Sequence, residues 1–194
     1  MTKHLWRVAA LVALGLIAGC ATSTGSARPE AATRAALGTP VAAPEIIAGQ
    51  DVPAPAGATV LTVTGRITRP NHDGTLRLDL PTLEKLGLTQ VHLYEPWVKQ
   101  NLDFRGVWLA DLLDVAGAGP GAASVHLVAQ DDYVVDLTTA EVTAGGVLVA
   151  TRAGDGSAIP PDRGGPTRLV FADGVATGTN PDRWIWSLKS IDVR

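Results

Sequence analysis

Hydrophobic and polar residues alternate along most of the chain from residue 58 to residue 194. In residues 59–68 the apolar side chains fall on one parity, and residues 76–80 alternate in the same way. A period of two is typical of strands that bury one face. Residues 70–74, between these two runs, contain proline, asparagine, aspartate and glycine, which predicts a hairpin turn.

The remaining patterns predict short elements of both kinds. Further strands are predicted at residues 91–94, 125–129, 133–137, 147–151, 168–171 and 184–193, and helices at residues 81–87, 109–116 and, for a single turn, 139–142. The apolar parity changes within the last strand, which predicts a β-bulge near Lys189 and Ser190. Because strands and helices do not alternate as in a parallel βαβ fold, the pattern predicts an α+β domain.

The first twenty residues have the pattern of a bacterial lipoprotein signal peptide. Lys3 and Arg7 precede an uncharged run at residues 8–19, which is too short to span a bilayer but suits a signal-peptide core. The run ends in the lipobox-like sequence LIAGC, which predicts that Cys20 is lipidated and anchors the protein to a membrane. Ala21, rather than aspartate, follows the cysteine and favours the outer membrane, with the protein in the periplasm. The alternative is a secretory signal with a chance cysteine.

Residues 21–57 are predicted to form a flexible tether between this anchor and the domain. They are rich in alanine, proline, threonine and glycine, and such a segment buries too little apolar surface to offset the entropy lost on ordering. Ile46 and Ile47 are exceptions that could dock or form a short helix. Residues 58–194 then form a single domain with a sizeable core.

Composition excludes several classes of function. The formal net charge is −3 and there is no basic excess, so a nucleic-acid partner is not expected. The chain has one cysteine, which excludes internal disulfides and cysteine-rich metal sites. His72, His92 and His126 lack metal-ligand spacing, and neither a phosphate-binding loop nor a nucleophile elbow is present.

Five segments occur in an order that a known family shares. They are FRGVWLADLL at residues 104–113, DDYVVDL at 131–137, VATR at 149–152, GGPTRLV at 164–170 and WSLKSIDV at 186–193. In this order and spacing they resemble the molybdopterin-binding domain of the sulfite oxidase superfamily. The resemblance covers nearly all of residues 58–194 and implies a mostly mixed β-sheet fold with short helices.

One departure from that family bears directly on function. Its enzymes coordinate molybdenum through a cysteine thiolate in the segment before the F-x-G-x-x-L-x-D-L-L helix, and the corresponding residues 91–103, VHLYEPWVKQNLD, contain no cysteine. Molybdenum is therefore not expected here. The chain looks more similar to small, single-domain periplasmic members, some of which bind reduced pterins and signal to the periplasmic part of a membrane-bound cyclic-di-GMP enzyme. The resemblance implies the same ligand and the same kind of partner for this chain, and it favours binding over catalysis.

The candidate ligand-binding residues are aromatic, acidic and basic. A pterin needs an aromatic or apolar surface for its flat ring and a carboxylate for its amino-pyrimidine edge. Basic side chains suit carbonyl or phosphate oxygens. We therefore assign ligand binding to Trp97, Asp132, Tyr133, Arg152, Arg163 and Trp184.

Some residues are left out of this assignment. Asp131 is the weaker of the two aspartates, and Trp186 is assigned to core packing. No catalytic residue and no metal ligand is assigned. Two other functions stay open: a molybdopterin-dependent oxidoreductase with a non-cysteine molybdenum site, and a ligand-free scaffold that contacts a partner near Trp184.

Overall fold

The computed structural model describes residues 36–194, which form two five-stranded sheets. The first sheet is antiparallel throughout. Its strands, in spatial order, are β1 (Thr39–Ala42), β4 (Leu88–Glu95), β5 (Gln100–Trp108), β8 (Val147–Ala153) and β9 (Arg168–Phe171). The signal peptide and the lipidation site predicted at residues 1–20 lie outside the described residues.

The second sheet is mixed, because its central strand comes from the end of the chain. In spatial order its strands are β3 (Leu76–Asp79), β2 (Thr59–Gly65), β10 (Leu188–Val193), β6 (Ser124–Ala129) and β7 (Val134–Thr138). β10 runs parallel to β2 and antiparallel to β6. Residues 188–193 therefore join the β2–β3 hairpin to the β6–β7 hairpin.

Three short α-helices each follow a strand directly. They are α1 (Leu80–Glu84), α2 (Leu109–Ala116) and α3 (Thr139–Thr143), and three 3₁₀ helices span Pro161–Arg163, Ala176–Thr179 and Pro181–Arg183. α3 begins with a capping box, in which Thr138 and Glu141 satisfy each other's backbone N–H groups. Within residues 36–194, none of the helices has the length and apolar character needed to cross a bilayer.

The alternating patterns match the observed burial. Leu61 and Val63 of β2 and Leu76 and Leu78 of β3 are fully buried, while the residues between them are more exposed or lie at the sheet surface. Residues 147–151 of β8 are buried without alternation, so both faces of the first sheet are covered there. All the predicted strands and helices have counterparts in the structure, but β1 and β5 were not predicted.

The last strand is shorter than predicted. β10 begins at Leu188 and not at Trp184, because Ser187 has a φ of 50° and donates its backbone N–H to the Gly164 carbonyl at 2.8 Å. Residues 184–187 therefore lie outside the second sheet, to which β10 belongs. The predicted β-bulge is confirmed, since the register between β10 and β6 shifts between Leu188 and Ser190.

The second half of the predicted tether is instead part of the domain. Residues 39–42 form β1, which pairs with β4 in the register Thr39 to Gln90. Ile46 and Val52 are buried in the core, and the backbone N–H of Ile46 donates to the Lys85 carbonyl at 3.0 Å. The exceptional isoleucine therefore docks, and the expectation of a flexible segment as far as Gly57 was wrong for residues 39–57. Pairing with the edge of β4 and the burial of two apolar side chains both hold this segment against the domain.

Asp79 holds this N-terminal segment against the start of α1. Its carboxylate accepts hydrogen bonds from the backbone N–H groups of Ala56 at 2.9 Å, Gly57 at 2.8 Å and Thr82 at 2.9 Å. The Thr82 side chain and these N–H groups lower the pKa of Asp79 to about 2 from an ordinary 3.8. The ionised carboxylate therefore caps the N-terminus of α1 and also binds the backbone of residues 56–57.

Asp79→Ala should lower the free energy of unfolding by about 1–2 kcal/mol at neutral pH, the usual cost of a lost N-cap. Because the pKa is lower in the folded state, this contribution is present above pH 4 and is lost as the pH falls through about 2. Urea unfolding at pH 7, 4 and 2 should show the gap between wild type and variant closing. Asp79→Asn, which accepts hydrogen bonds but does not titrate, is the control. A gap as wide at pH 2 as at pH 7 would contradict the assignment.

Candidate functional site: an aromatic cleft where the two sheets meet

Three segments from both sheets surround a cleft of about 440 Å³. They are the β4–β5 turn, the β6–β7 turn and residues 180–187 before β10. The cleft is lined by Trp97, Ala129, Asp131, Tyr133, Asp182, Trp184 and Trp186. We call it the aromatic cleft, because four of these side chains carry aromatic rings.

The rings of Trp97 and Tyr133 are exposed, whereas the ring of Trp184 is buried. Trp97 is 53% exposed and Tyr133 is 44% exposed, so both present ring surface to solvent. Trp184 is only 5% exposed, lies 5.5 Å from the Phe171 ring and donates its indole N–H to the Gly178 carbonyl at 3.0 Å. The cleft therefore combines accessible rings with a rigid indole, which is an arrangement suited to a flat aromatic ligand.

Tyr133 joins two of the segments that form the walls. Its hydroxyl donates to the backbone carbonyl of Asp182 at 2.5 Å, and its own backbone N–H donates to the Asp131 carboxylate at 3.2 Å. The first bond links the β6–β7 turn to the Pro181–Arg183 helix, and the second is the Asx turn that aspartate favours at such a position. The Tyr133 hydroxyl thus ties together two of the three segments around the aromatic cleft.

The charge on the lining residues is negative. Asp131 and Asp182 are both exposed, and no lysine, arginine or histidine among residues 36–194 forms an ion pair with either of them. No cationic side chain of the described part of the chain lines the cleft. Two uncompensated carboxylates favour a ligand that is neutral or positively charged and that donates hydrogen bonds.

A buried ion pair lies directly behind the aromatic cleft. The Arg168 guanidinium donates to the Glu95 carboxylate at 2.5 Å, and the two side chains are 2% and 0% exposed. The Arg168 guanidinium carbon is 4.8 Å from the centroid of the Trp186 ring and 5.1 Å from that of Phe104. Burial lowers the pKa of Arg168, but arginine stays protonated in proteins and the Glu95 carboxylate supports its charge.

The structure brings three of the six assigned residues into the aromatic cleft, namely Trp97, Tyr133 and Trp184. Asp132 lies outside it. Its φ of 65° turns the side chain away to Lys189, whose ammonium group is 2.6 Å from the carboxylate and lowers the pKa of Asp132 through a hydrogen bond and its charge. The neighbouring Asp131, judged weaker from the sequence, lines the cleft instead.

The two assigned arginines are also elsewhere. Arg152 forms an ion pair with Glu84, in which two guanidinium N–H groups donate to the carboxylate at 2.6 and 3.2 Å. This pairing raises the pKa of Arg152. Arg163 is exposed and lines a separate depression of about 410 Å³ next to Arg168. Neither arginine contributes to the aromatic cleft, so its lining offers no cation for a phosphate group.

Sequence reasoning missed Trp186 and Asp182 as cleft residues. Trp186 shares strand parity with Trp184, which predicted a core position, but residues 184–187 are not in the strand. The indole N–H of Trp186 is buried and has no hydrogen-bond partner in the described structure. Asp182 lies in a Pro-Asp-Arg 3₁₀ helix, for which no alternating pattern exists to reveal orientation.

Gly164→Ala is expected to displace Trp186. Gly164 has a φ of 83°, and a Cβ there would lie 2.8 Å from Cβ and Cγ of Trp186. Gly74 has a φ of 74° with no atom within 4 Å, so Gly74→Ala is a control with a similar backbone cost and no collision. We expect Gly164→Ala to be the more destabilising by about 1–3 kcal/mol. It should also change the tryptophan fluorescence, and equal effects of the two substitutions would contradict this packing.

The protein compares with known proteins as follows. The sequence profile of the oxidoreductase molybdopterin binding domain matches residues 83–193. The sulfane dehydrogenase SoxCD from Paracoccus pantotrophus has a similar fold, with a TM-score of 0.55 and 18% identity over 69% of this chain and 37% of its own. No curated protein sequence matches the chain. The α+β fold is thus the sulfite oxidase-like one that the resemblance implied, and the chain belongs to the oxidoreductase molybdopterin-binding domain family.

Proposed function

We propose that the aromatic cleft binds a reduced pterin and that the protein acts as a ligand-binding module without molybdenum catalysis. The observation that carries this proposal is the lining itself: four aromatic rings and two carboxylates that form no ion pair with any residue from 36 to 194. A pterin has a flat ring with a donor-rich amino-pyrimidine edge. Rings of this kind stack on tryptophan or tyrosine, and a carboxylate accepts two hydrogen bonds from the edge.

The residues present fit the pterin ring of molybdopterin but not the rest of that cofactor. The described residues include no cysteine, so no thiolate is available as a metal ligand. They contain no cluster of three or more histidine, cysteine, aspartate or glutamate residues that could hold a metal ion. The cofactor's phosphate would meet the carboxylates of Asp131 and Asp182 and no cationic side chain of the lining. The chemistry of the cleft therefore supports a free pterin over the molybdenum-bearing form.

In this proposal each group has one task. Trp97 and Tyr133 stack on the ring from the exposed side, while Trp184 and Trp186 form the surface behind it. Asp131 and Asp182 accept hydrogen bonds from the ring's N–H groups. Binding then favours one arrangement of the three segments, which a partner could recognise through ordinary linkage.

The test is isothermal titration calorimetry of the full chain under anaerobic conditions. The probes are a 6-hydroxyalkyl tetrahydropterin and its phosphate ester. We expect the unphosphorylated probe to bind with one-to-one stoichiometry and the ester to bind at least about tenfold more weakly, because like charges repel in a partly desolvated cleft. Absence of binding would overturn the pterin proposal, and tighter binding of the ester would overturn the charge argument.

Neutralising the two carboxylates should reduce this selectivity. In Asp131→Asn/Asp182→Asn the phosphate ester is expected to gain affinity relative to the unphosphorylated probe. The selectivity of the wild type should also fall with added salt, because surface charges are screened. Asp132→Asn is the control, since Asp132 pairs with Lys189 outside the cleft. If the double variant keeps the wild-type ratio of affinities, the two carboxylates do not determine selectivity.

Metal analysis separates this proposal from the oxidoreductase alternative. The protein would be purified from cells grown with abundant molybdate and analysed for molybdenum by mass spectrometry. We expect no stoichiometric metal. One molybdenum per chain would overturn the proposal and favour a metal site with non-cysteine ligands.

We further propose that the protein is a lipid-anchored periplasmic regulator. The signal-like sequence ending at Cys20 supports the anchor, and the resemblance supports a membrane-bound cyclic-di-GMP enzyme as the partner. Metabolic labelling with a palmitate analogue should mark the wild type and not Cys20→Ala. Labelling of both forms, or of neither, would contradict anchoring at Cys20.

A further inference from the structure

The buried Glu95–Arg168 pair contacts two of the three segments that surround the aromatic cleft, the β4–β5 turn and residues 180–187. Glu95 ends β4, one residue before Pro96 and two before Trp97. One carboxylate oxygen accepts from Arg168, and the other accepts from the backbone N–H of Val98 at 2.7 Å. The same side chain therefore closes the turn that carries Trp97.

The arginine contacts a second wall of the cleft, through Trp186, and one segment outside it. Its second terminal nitrogen donates to the Arg163 carbonyl at 3.0 Å, which joins it to the Pro161–Arg163 helix. Its guanidinium carbon lies over the Trp186 ring and over the ring of Phe104 in β5. Trp97 and Trp186 are thus connected through two buried side chains whose charges compensate each other.

Stability alone is a weak reason for such a pair. Replacing a buried ion pair with apolar residues of similar volume is often neutral or stabilising, because desolvation offsets much of the attraction. Here Arg168 also keeps a buried Nε–H without a hydrogen-bond partner. The pair makes two directional contacts that apolar side chains cannot make. Glu95 bonds to the backbone of the Trp97 turn, and Arg168 places a cation over the Trp186 ring.

We propose that Glu95 and Arg168 are positioning residues of the aromatic cleft, which hold Trp97 and Trp186 at the spacing that a flat ligand requires. Their effect on the ligand is indirect, because neither residue lines the cleft. The inference rests on the proposed function for its ligand, but the placement of the two indoles can be measured without one.

The test uses a charge-free pair, Glu95→Leu/Arg168→Met, in the full chain. Both positions keep apolar volume and no buried charge is left alone, so the variant is expected to fold with a melting temperature close to that of wild type. The matched control is Glu84→Leu/Arg152→Met, which removes a partly buried pair away from the cleft. Both are labelled with 5-fluorotryptophan for ¹⁹F NMR, and resonances are assigned by Trp→Phe substitution.

We expect the resonances of Trp97 and Trp186 to shift or broaden in the Glu95/Arg168 variant, with Trp108 unchanged and no such effect in the control. Affinity for the tetrahydropterin probe should fall at least tenfold in that variant only. Unchanged Trp97 and Trp186 resonances in a folded variant would overturn the positioning role. If wild type binds no pterin, the proposed function fails and the resonances still decide the positioning role.

Arg168→Lys provides a second measurement if the double variant does not fold. Lysine keeps the charge opposite Glu95 but loses the planar group against Trp186 and the donor to the Arg163 carbonyl. The Trp186 resonance should therefore shift, and probe affinity should fall several-fold. Wild-type values for both would overturn the proposal.

Discussion

Trp97→Ala is expected to weaken binding of a tetrahydropterin about 10- to 100-fold and to leave the fold intact. Stacking of a heteroaromatic base on an aromatic side chain contributes about 1–3 kcal/mol, as judged by alanine substitution, and each factor of ten corresponds to about 1.4 kcal/mol. Trp97 is 53% exposed, so little core packing is lost when its ring is removed. Titration calorimetry gives the affinity, and thermal unfolding monitored by circular dichroism reports on the fold.

Tyr94→Ala is the matched control for this prediction. Tyr94 is an aromatic residue of the same strand and turn region, is 49% exposed and does not line the aromatic cleft. Its removal should change neither affinity nor selectivity. If Trp97→Ala and Tyr94→Ala bind the probe equally well, the ligand does not stack on Trp97 and the assignment of the cleft is wrong.

Glu95→Ala is expected to lower the free energy of unfolding by about 3–5 kcal/mol. Removing one partner leaves the Arg168 guanidinium buried without its counter-charge, and this costs much more than the pair contributes as a whole. The Val98 backbone N–H also loses its acceptor. A change of this size is a large fraction of the total stability of an ordinary domain.

Urea unfolding followed by circular dichroism measures this loss. Asp132→Asn, which removes the charge of the exposed partner of Lys189 and keeps a residue type that tolerates a φ of 65°, is the comparison and should leave the transition midpoint unchanged. Glu95→Leu/Arg168→Met should recover most of the loss, because the unpaired charge is gone. If Glu95→Ala is as stable as wild type, Glu95 is not the buried partner of Arg168.

Sequence reasoning located the strands in which burial follows parity and also β8 and β9, whose apolar runs are buried without alternation. β2 and β3 face the core on one side only, so the pattern of their residues reveals them. β5 was not predicted because three of its first four residues are polar and exposed, and burial is continuous only from Gly106 onward. β1 is exposed along its length, and its order comes from pairing with β4, for which no hydrophobic pattern is needed.

The sequence indicated which types of residue form the site but not how those residues are arranged in space. Trp97, Tyr133 and Trp184 were assigned because a flat ligand needs aromatic side chains around it. The choice between Asp131 and Asp132 depends on one left-handed backbone angle in a turn, and the sequence does not reveal it. Glu95 and Arg168 are far apart along the chain, and their meeting follows from the pairing of β4, β5, β8 and β9.

The docking of β1 onto β4 limits how far the domain can stand from a membrane. With Cys20 as the lipid attachment point, as the sequence predicts, about 18 residues precede β1 and span at most roughly 60 Å when fully extended, whereas a tether to Gly57 would have allowed roughly 130 Å. β1 joins β4 at residues 88–90, and the Trp97 turn follows the opposite end of that strand. If that anchor is present, the shorter segment restricts a partner of the cleft to a zone nearer the lipid surface than a tether to Gly57 would have allowed.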